Sequence, residues 1–259
     1  MDEEIKHLAI TVVNKVFRGI RKAGKDNFAK WNTNVGIGAD GTPTKYIDKL
    51  AEDIALTYLS KPSTPVNILS EEVGFIDNDA DYTFVLDPVD GTRNACRGIP
   101  FYTVSLAIGK KSLDDIEYGI VKNIPTGDLF LAEKGRGTYY NNNRIAIPEV
   151  PASELLSSLS LGKNFDEITL SLAQREKVRS LGSASLEMCM VASGALDVYV
   201  VGNAYLRVTD IAASTLIVRE AGGIVADSNG KRLNMPLTLD ERTGVIAAGN
   251  RELIKWARS

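Results

Sequence analysis

Leu86-Asp87-Pro88-Val89-Asp90-Gly91-Thr92-Arg93-Asn94 is the stretch on which the reading of this chain turns. The apolar run Tyr82-Thr83-Phe84-Val85-Leu86 in front of it reads as a strand that leads to Asp87. Strand ends are where α/β proteins place ligand-binding groups. Pro88 fixes the backbone just past the strand, so that Asp87 and Asp90 can face one point. Gly91 lets the backbone approach a ligand closely. The N–H groups of Gly91 and Thr92 stand at a turn or helix start, which is a seat for a phosphate. Metal-facing carboxylates beside a phosphate seat are what metal-assisted phosphate hydrolysis requires.

Outward from this motif, two further acidic positions border apolar runs. Glu71 follows Ile68-Leu69-Ser70, and Asp210 opens a helical pattern over 211–220. Hard oxygen ligands of this kind suit Mg²⁺ or Mn²⁺. Each position also has a plainer use: Asp210 as a helix cap, Glu71-Glu72 as a solvated pair, Asp87 and Asp90 as turn residues. The run Asp77-Asn78-Asp79-Ala80-Asp81 imitates the start of a calcium loop, but Tyr82 stands where glycine is needed and Pro88 where the closing glutamate belongs.

Apolar spacing predicts a helix over 5–23, with Leu8, Val12, Val13, Val16, Phe17 and Ile20 on one face, and a second over 45–59, ended by Lys61-Pro62-Ser63. Residues 24–43, with Gly36, Gly38, Asp40 and Gly41, read as a mobile loop and a candidate flap. Strands are expected at 67–70, 82–86, 103–109, 117–121 and 129–133, then at 197–201, 224–226 and 244–248. Helices are expected at 186–192, 211–220 and 253–258, the middle one closing at Gly222-Gly223. The pattern is that of an α/β protein in layers of helices and mixed sheets. It is expected to be one unit over 1–259, with an N-terminal part to about 150 and a C-terminal α/β part from about 151.

Composition narrows the chemistry. With 259 residues and 44% hydrophobic side chains the chain can bury a sizeable core. A net charge of −3 argues against nucleic acid as partner. No apolar run is long enough for a membrane span, and the acidic start Met1-Asp2-Glu3-Glu4 is unlike a signal peptide. Cys96 and Cys189 form no disulfide or zinc pattern, so a reducing cytoplasm is expected. The single histidine, His7, lies on an ordinary amphipathic helix, which argues against Ser-His-Asp and Cys-His mechanisms.

Taken in order, the motifs resemble those of the inositol monophosphatase / fructose-1,6-bisphosphatase superfamily, in its archaeal-type dual-activity branch. Ser70-Glu71-Glu72-Val73-Gly74 resembles the family's Glu-Glu motif, the Asp87–Thr92 run its central motif, and Thr209-Asp210-Ile211-Ala212-Ala213 its C-terminal one. Gly38-Ala39-Asp40-Gly41-Thr42-Pro43-Thr44, Gly182-Ser183-Ala184-Ser185-Leu186-Glu187 and Glu220-Ala221-Gly222-Gly223 extend the similarity over nearly the whole chain. The resemblance implies the family's alternating layers, a homodimer, and two or three Mg²⁺ per site, with Mn²⁺ as a substitute. It implies Glu71, Asp87, Asp90, Asp210 and the Val89 carbonyl as metal ligands, and Asp48 with Thr92 as the pair that orients the attacking water. Asp90, Gly91, Thr92, Arg179, Ala184 and Arg207 are the implied substrate contacts. Arg207, three residues before Asp210, is expected to read a second phosphate.

The implied substrates are small phosphorylated sugars or cyclitols, fructose-1,6-bisphosphate and inositol-1-phosphate. Thr209 replaces the usual Trp, and Asn203 stands where inositol-preferring members carry a carboxylate. Thr209, with Ala213 where many members have Gly, changes the shape of the substrate wall, and Asn203 weakens the case for inositol phosphate as the favoured substrate. Three other readings compete. An aspartyl-phosphate phosphatase needs its first aspartate two residues before Asp90, where Pro88 stands. A 3′(2′),5′-bisphosphate nucleotide phosphatase would use the same fold. A non-catalytic phosphate-binding regulatory module would not need the Asp48–Thr92 pair.

Overall fold

Two mixed sheets and a small hairpin make up the β structure, and alternation along the strands dictates how the helices layer on them. The computed structural model describes residues 1–39, 41–60, 65–148, 155–161, 167–175 and 177–259. The first half runs α1 (Glu3–Asn27), β1 (Asn34–Ile37), β2 (Pro43–Lys45), α2 (Tyr46–Leu59), β3 (Asn67–Ser70), β4 (Gly74–Ile76), β5 (Thr83–Asp90), α3 (Thr92–Arg97), β6 (Thr103–Gly109), β7 (Tyr118–Asn123), β8 (Leu129–Glu133), β9 (Gly137–Tyr140) and β10 (Asn143–Ile145). The second half runs β11 (Leu156–Leu159), α4 (Glu167–Arg175), β12 (Lys177–Arg179), α5 (Ala184–Ala192), β13 (Val198–Leu206), α6 (Val208–Glu220), β14 (Ile224–Ala226), β15 (Thr243–Ala248) and α7 (Arg251–Ala257).

The larger sheet has eight strands in the order β10-β9-β8-β7-β6-β5-β3-β4, and the smaller has five in the order β12-β11-β13-β15-β14. Successive side chains on β5 part company. Phe84 and Leu86 join Val12 and Val16 of α1 and Ile47 and Ala51 of α2 in one core. Val85 faces the other way, into a core with Leu186 of α5 and Ile211 and Ile217 of α6. The same alternation on β13 sends Tyr199 and Val201 into that middle core, and Val198 and Val200 into a third one with Leu172 of α4 and Leu253 and Ile254 of α7. The layers are therefore α1/α2, large sheet, α5/α6, small sheet, α4/α7, the expected alternation of helices and mixed sheets. No helix among the described residues is long and apolar enough to cross a membrane.

Two expectations need correction. Residues 24–43 are not one loop: α1 continues to Asn27, a short 3₁₀ turn follows at Phe28–Lys30, and β1 pairs with β2. The buried Trp31 anchors this segment against the helical core, and a Cβ on Gly24 would come within 3.1 Å of its ring. Loop-like composition thus conceals a tethered hairpin. Asp40 and the Lys61-Pro62-Ser63 stretch lie outside the described residues. The second correction concerns β5, which runs on through Asp90 instead of ending at Leu86. Its pairing with β6 slips between Asp87↔Ser105 and Asp90↔Thr103, so three steps on β5 face two on β6. That is a one-residue bulge at Pro88-Val89, where a proline costs no ladder bond.

Candidate active site

Regular alternation would put Asp87 and Asp90, three residues apart, on opposite faces of β5. The bulge adds the residue that returns both to one side. The neighbouring strand supplies the next carboxylate through register. β3 runs parallel to β5 with Ser70 opposite Leu86, so Glu71, just past the end of β3, stands beside Asp87 within β5. Asp210 arrives from the middle helix layer, at the third position of α6, where its Oδ2 accepts from the Arg207 N–H at 2.8 Å. Carboxylate oxygens of Glu71, Asp87 and Asp210 all lie within 4.8 Å of one another. Asp87 and Asp210 are buried.

Arg207 joins this cluster. Its guanidinium pairs with Glu71, and Nη2 donates to Asp210 Oδ1 at 3.0 Å. Burial opposes its charge, but Asp210, Glu71 and Asp87 together hold its pKa above the ordinary guanidinium value. The Asp87 carboxyl is pushed well above the usual carboxylate range, first by burial and then by the charges of Asp90, Glu71 and Asp210. Asp90 stands beside the triad. Burial raises its pKa as well, against hydrogen bonds from Ser185 and Ser183 that favour the anion. Its Oδ2 accepts from Ser183 Oγ at 2.7 Å, from the Ser185 N–H at 2.8 Å and from Ser185 Oγ. Thr103 Oγ1 lies 2.7 Å from Ser185 Oγ.

A second pair sits behind the bulge. Thr92 Oγ1 is 2.8 Å from Asp48 Oδ1 and 3.0 Å from the Val89 carbonyl, and with one proton it donates to one of them at a time. Asp48, at the third position of α2, accepts from the Lys45 N–H at 3.3 Å. Burial drives the Asp48 pKa up to about 7, the Thr92 bond opposes this, and the nearby Glu72 charge reinforces it. Glu72 itself accepts from Thr44 Oγ1. Gly91 opens α3 at φ 97°, and a Cβ there would meet Phe101 O at 3.1 Å and Gly182 O at 3.2 Å, so only glycine fits.

The structure therefore brings together Glu71, Asp87, Asp210 and Arg207, sets Asp90 beside them, and pairs Asp48 with Thr92 next to Val89 and Gly91. Ala184 is the first residue of α5, between the two serines that hold Asp90. Arg179 is exposed at the end of the edge strand β12, where it donates to the Val178 carbonyl at 3.1 Å. Residue-type reasoning did not assign Ser183, Ser185 or Glu187. Their signal was the small polar run Gly182-Ser183-Ala184-Ser185 before an apolar helix with an acidic residue inside it.

A carboxylate cluster beside the parallel β3–β5 pair, with a hydroxyl–carboxylate pair next to it on a five-layered fold, is a phosphatase architecture whose oxygens could hold a metal ion. The chain belongs to the inositol monophosphatase family, which it matches over residues 1–258. It is 40% identical over 233 residues to a fructose-1,6-bisphosphatase/inositol-1-monophosphatase of Methanothermobacter thermautotrophicus, covering 85% of this chain and 83% of the relative. It is 39% identical over 244 residues to a bifunctional NADP phosphatase/NAD kinase of Methanococcus maripaludis; the match takes in 85% of this chain but spans only 43% of that relative. A solved inositol monophosphatase–fructose 1,6 bisphosphatase superposes with a TM-score of 0.87 at 32% identity, covering 100% of this chain and 99% of the other.

Proposed function

We propose that this chain hydrolyses fructose-1,6-bisphosphate to fructose-6-phosphate and inositol-1-phosphate to inositol, with Mg²⁺ as cofactor. One observation carries the reading: an all-oxygen triad, Glu71, Asp87 and Asp210, gathered within 4.8 Å beside the Thr92–Asp48 pair. Such a donor set fits a hard divalent cation and no soft one. Glu71, Asp87, Asp90, Asp210 and the Val89 carbonyl would hold two or three Mg²⁺, with Mn²⁺ able to substitute. When bound, Mg²⁺ supplies charge neutralisation for the phosphate and lowers the pKa of water.

The chain's own groups do the rest. Asp48 and Thr92 orient the attacking water, and Asp48, with a pKa near neutrality, takes up its proton. The N–H groups of Gly91 and Thr92 seat the phosphate at the start of α3, with Ala184 lining the opposite side. The second phosphate of the bisphosphate needs a cation away from the metals. Arg207 is engaged with Glu71 and Asp210, which favours Arg179 as its reader. The protein is proposed to act as a cytoplasmic homodimer.

The 39% identity to a relative named for NADP phosphatase activity favours a second reading, a phosphatase of phosphorylated nucleotides. Phosphate release should be measured with Mg²⁺ on fructose-1,6-bisphosphate, inositol-1-phosphate, adenosine 3′,5′-bisphosphate and NADP. The expected order puts the sugar bisphosphate first and inositol-1-phosphate second, with turnover lost on chelation and in Asp87→Asn. Fastest turnover of NADP would select the second reading. Full activity of Asp87→Asn would sink both.

A further inference from the structure

Glu187 is a glutamate in the first turn of α5, only 1% exposed, in the middle core of the molecule. No ion pair reaches it among the described residues. Burying a carboxylate without a cation is costly unless hydrogen bonds replace its water. Here four donors do so. Oε1 accepts from Ser158 Oγ and from the Leu181 N–H at 3.1 Å. Oε2 accepts from the N–H groups of Gly182 at 3.1 Å and Ser183 at 3.3 Å. Three successive amides pointing at one centre form a concave anion nest, and Gly182 at φ +87° supplies the left-handed residue that lets them converge. The chain fills this nest with its own side chain.

The outer side of the same turn is gripped by α3. Asn94 Nδ2 donates to the Leu181 carbonyl at 2.7 Å and to the Phe101 carbonyl at 2.8 Å. A Cβ on Gly182 would come within 3.1 Å of that amide. Held from both sides, the turn delivers Ser183 Oγ and the Ser185 N–H and hydroxyl to one oxygen of Asp90. A partly buried carboxylate bound through one oxygen presents the other in a fixed direction, and outer partners of this kind set ligand orientation.

We infer that Glu187 is a positioning residue: it locks the 181–185 turn so that Ser183 and Ser185 hold Asp90 in its metal-ligating orientation. This rests on the reading of Asp90 as a Mg²⁺ ligand. Glu187→Gln keeps the shape but turns an N–H₂ toward amides that need an acceptor, so the turn should loosen. Mg²⁺ titration calorimetry on the full chain should then show affinity about 10–100-fold weaker, with circular dichroism unchanged and faster hydrogen exchange at 181–183. Ser183→Ala, which removes one bond to Asp90 and leaves the nest, should weaken Mg²⁺ binding on its own. The double variant should bind little worse than the poorer single one, because both changes act through one turn.

Two results would overturn the clamp: Mg²⁺ affinity in Glu187→Gln within about twofold of the parent, or losses that add in full in the double variant. If Glu187→Gln fails to fold, Ser158→Ala, which removes a single donor from the carboxylate, replaces it in the same titrations. A parent protein that binds no Mg²⁺ would overturn the metal reading and the clamp with it. A parent that binds normally beside an unaffected Glu187→Gln overturns the clamp alone.

Discussion

The first turns of α2 and α6 are built alike and end up electrically opposite. Each begins on a basic residue, Lys45 or Arg207, and each places an aspartate at its third position. In both, that aspartate reaches back to the backbone N–H of the basic residue. The basic side chains then diverge. Lys45 Nζ turns outward to the Asn32 carbonyl at 3.1 Å, whereas the Arg207 guanidinium folds onto Asp210 and Glu71. Asp210 is left against permanent positive charge. Asp48 is left buried, and burial with the like charge of Glu72 lifts its pKa to about 7 against the Thr92 bond and a weaker pull from Lys45. In the proposed roles one local device serves two chemistries: a carboxylate ion-paired to a guanidinium can stay charged to ligate, and one buried without a close ion pair can accept a proton near neutrality.

The largest effect expected from breaking this contrast is catalytic. With Thr92 and Asp48 in the proposed roles of orienting water and taking its proton, Thr92→Ala and Asp48→Asn should each lower kcat by roughly 10²–10⁴-fold while changing KM little. As members of one unit they should not multiply, so the double variant should be close to the worse single one. Steady-state phosphate release on all three variants tests this. Losses that multiply, or a KM effect with kcat intact, would remove the water-orienting role.

A somewhat smaller effect is expected in stability. An unfolded aspartate titrates near 3.9, and Asp48 in the fold near 7, so the native state binds the extra proton between these values. A carboxyl raised in this way contributes stability that is fully present below about pH 4 and is lost as pH rises through about 7. The loss is about 1.4 kcal/mol per unit, or about 4 kcal/mol across the window. Urea unfolding in chelator from pH 4.5 to 7.5 should show the parent weakening more than Asp48→Asn. Asp87 and Asp90 are raised too and act with the same sign, but they are common to both proteins, so the difference isolates Asp48. Parallel curves would show that its carboxyl is not perturbed.

Much of this is legible in the sequence, for physical reasons that can be located. The strand Thr103–Gly109 is legible because it is buried on both faces and reads as a largely apolar run without a charge. The carboxylates Glu71, Asp87 and Asp210 announced themselves because each borders such a run. What stayed hidden is what depends on pairing. The bulge that turns Asp90 to the side of Asp87 exists only relative to β6. The short strands β9, β10, β11 and β12 carry too few apolar residues to show a period and are held by their neighbours. Glu187 looked like any polar residue in a helix. Its role is visible only when the amides of 181–183 are seen converging on it.

The smallest expected effect sharpens the contrast from its cationic side. The family resemblance implies Arg207 as a reader of the second phosphate, but its guanidinium is paired with Glu71 and Asp210. A residue so committed acts on whatever the metal site acts on. Arg207→Ala should therefore disturb fructose-1,6-bisphosphate and inositol-1-phosphate hydrolysis to a similar degree. Arg179 lies four residues before Ser183, on the strand that leads into the turn holding Asp90, and is exposed. A charge-assisted bond from it to the distal phosphate is worth about 1.5–3 kcal/mol. Arg179→Ala should then raise KM roughly tenfold to a hundredfold for the bisphosphate and leave inositol-1-phosphate nearly unchanged, since in the proposed reading that substrate's single phosphate is used at the metal end. KM and kcat for both substrates on both variants decide the matter. If instead Arg207→Ala loses selectively on the bisphosphate, the guanidinium must leave its carboxylates for substrate, and the α6 turn is then a moving part while the α2 turn is fixed.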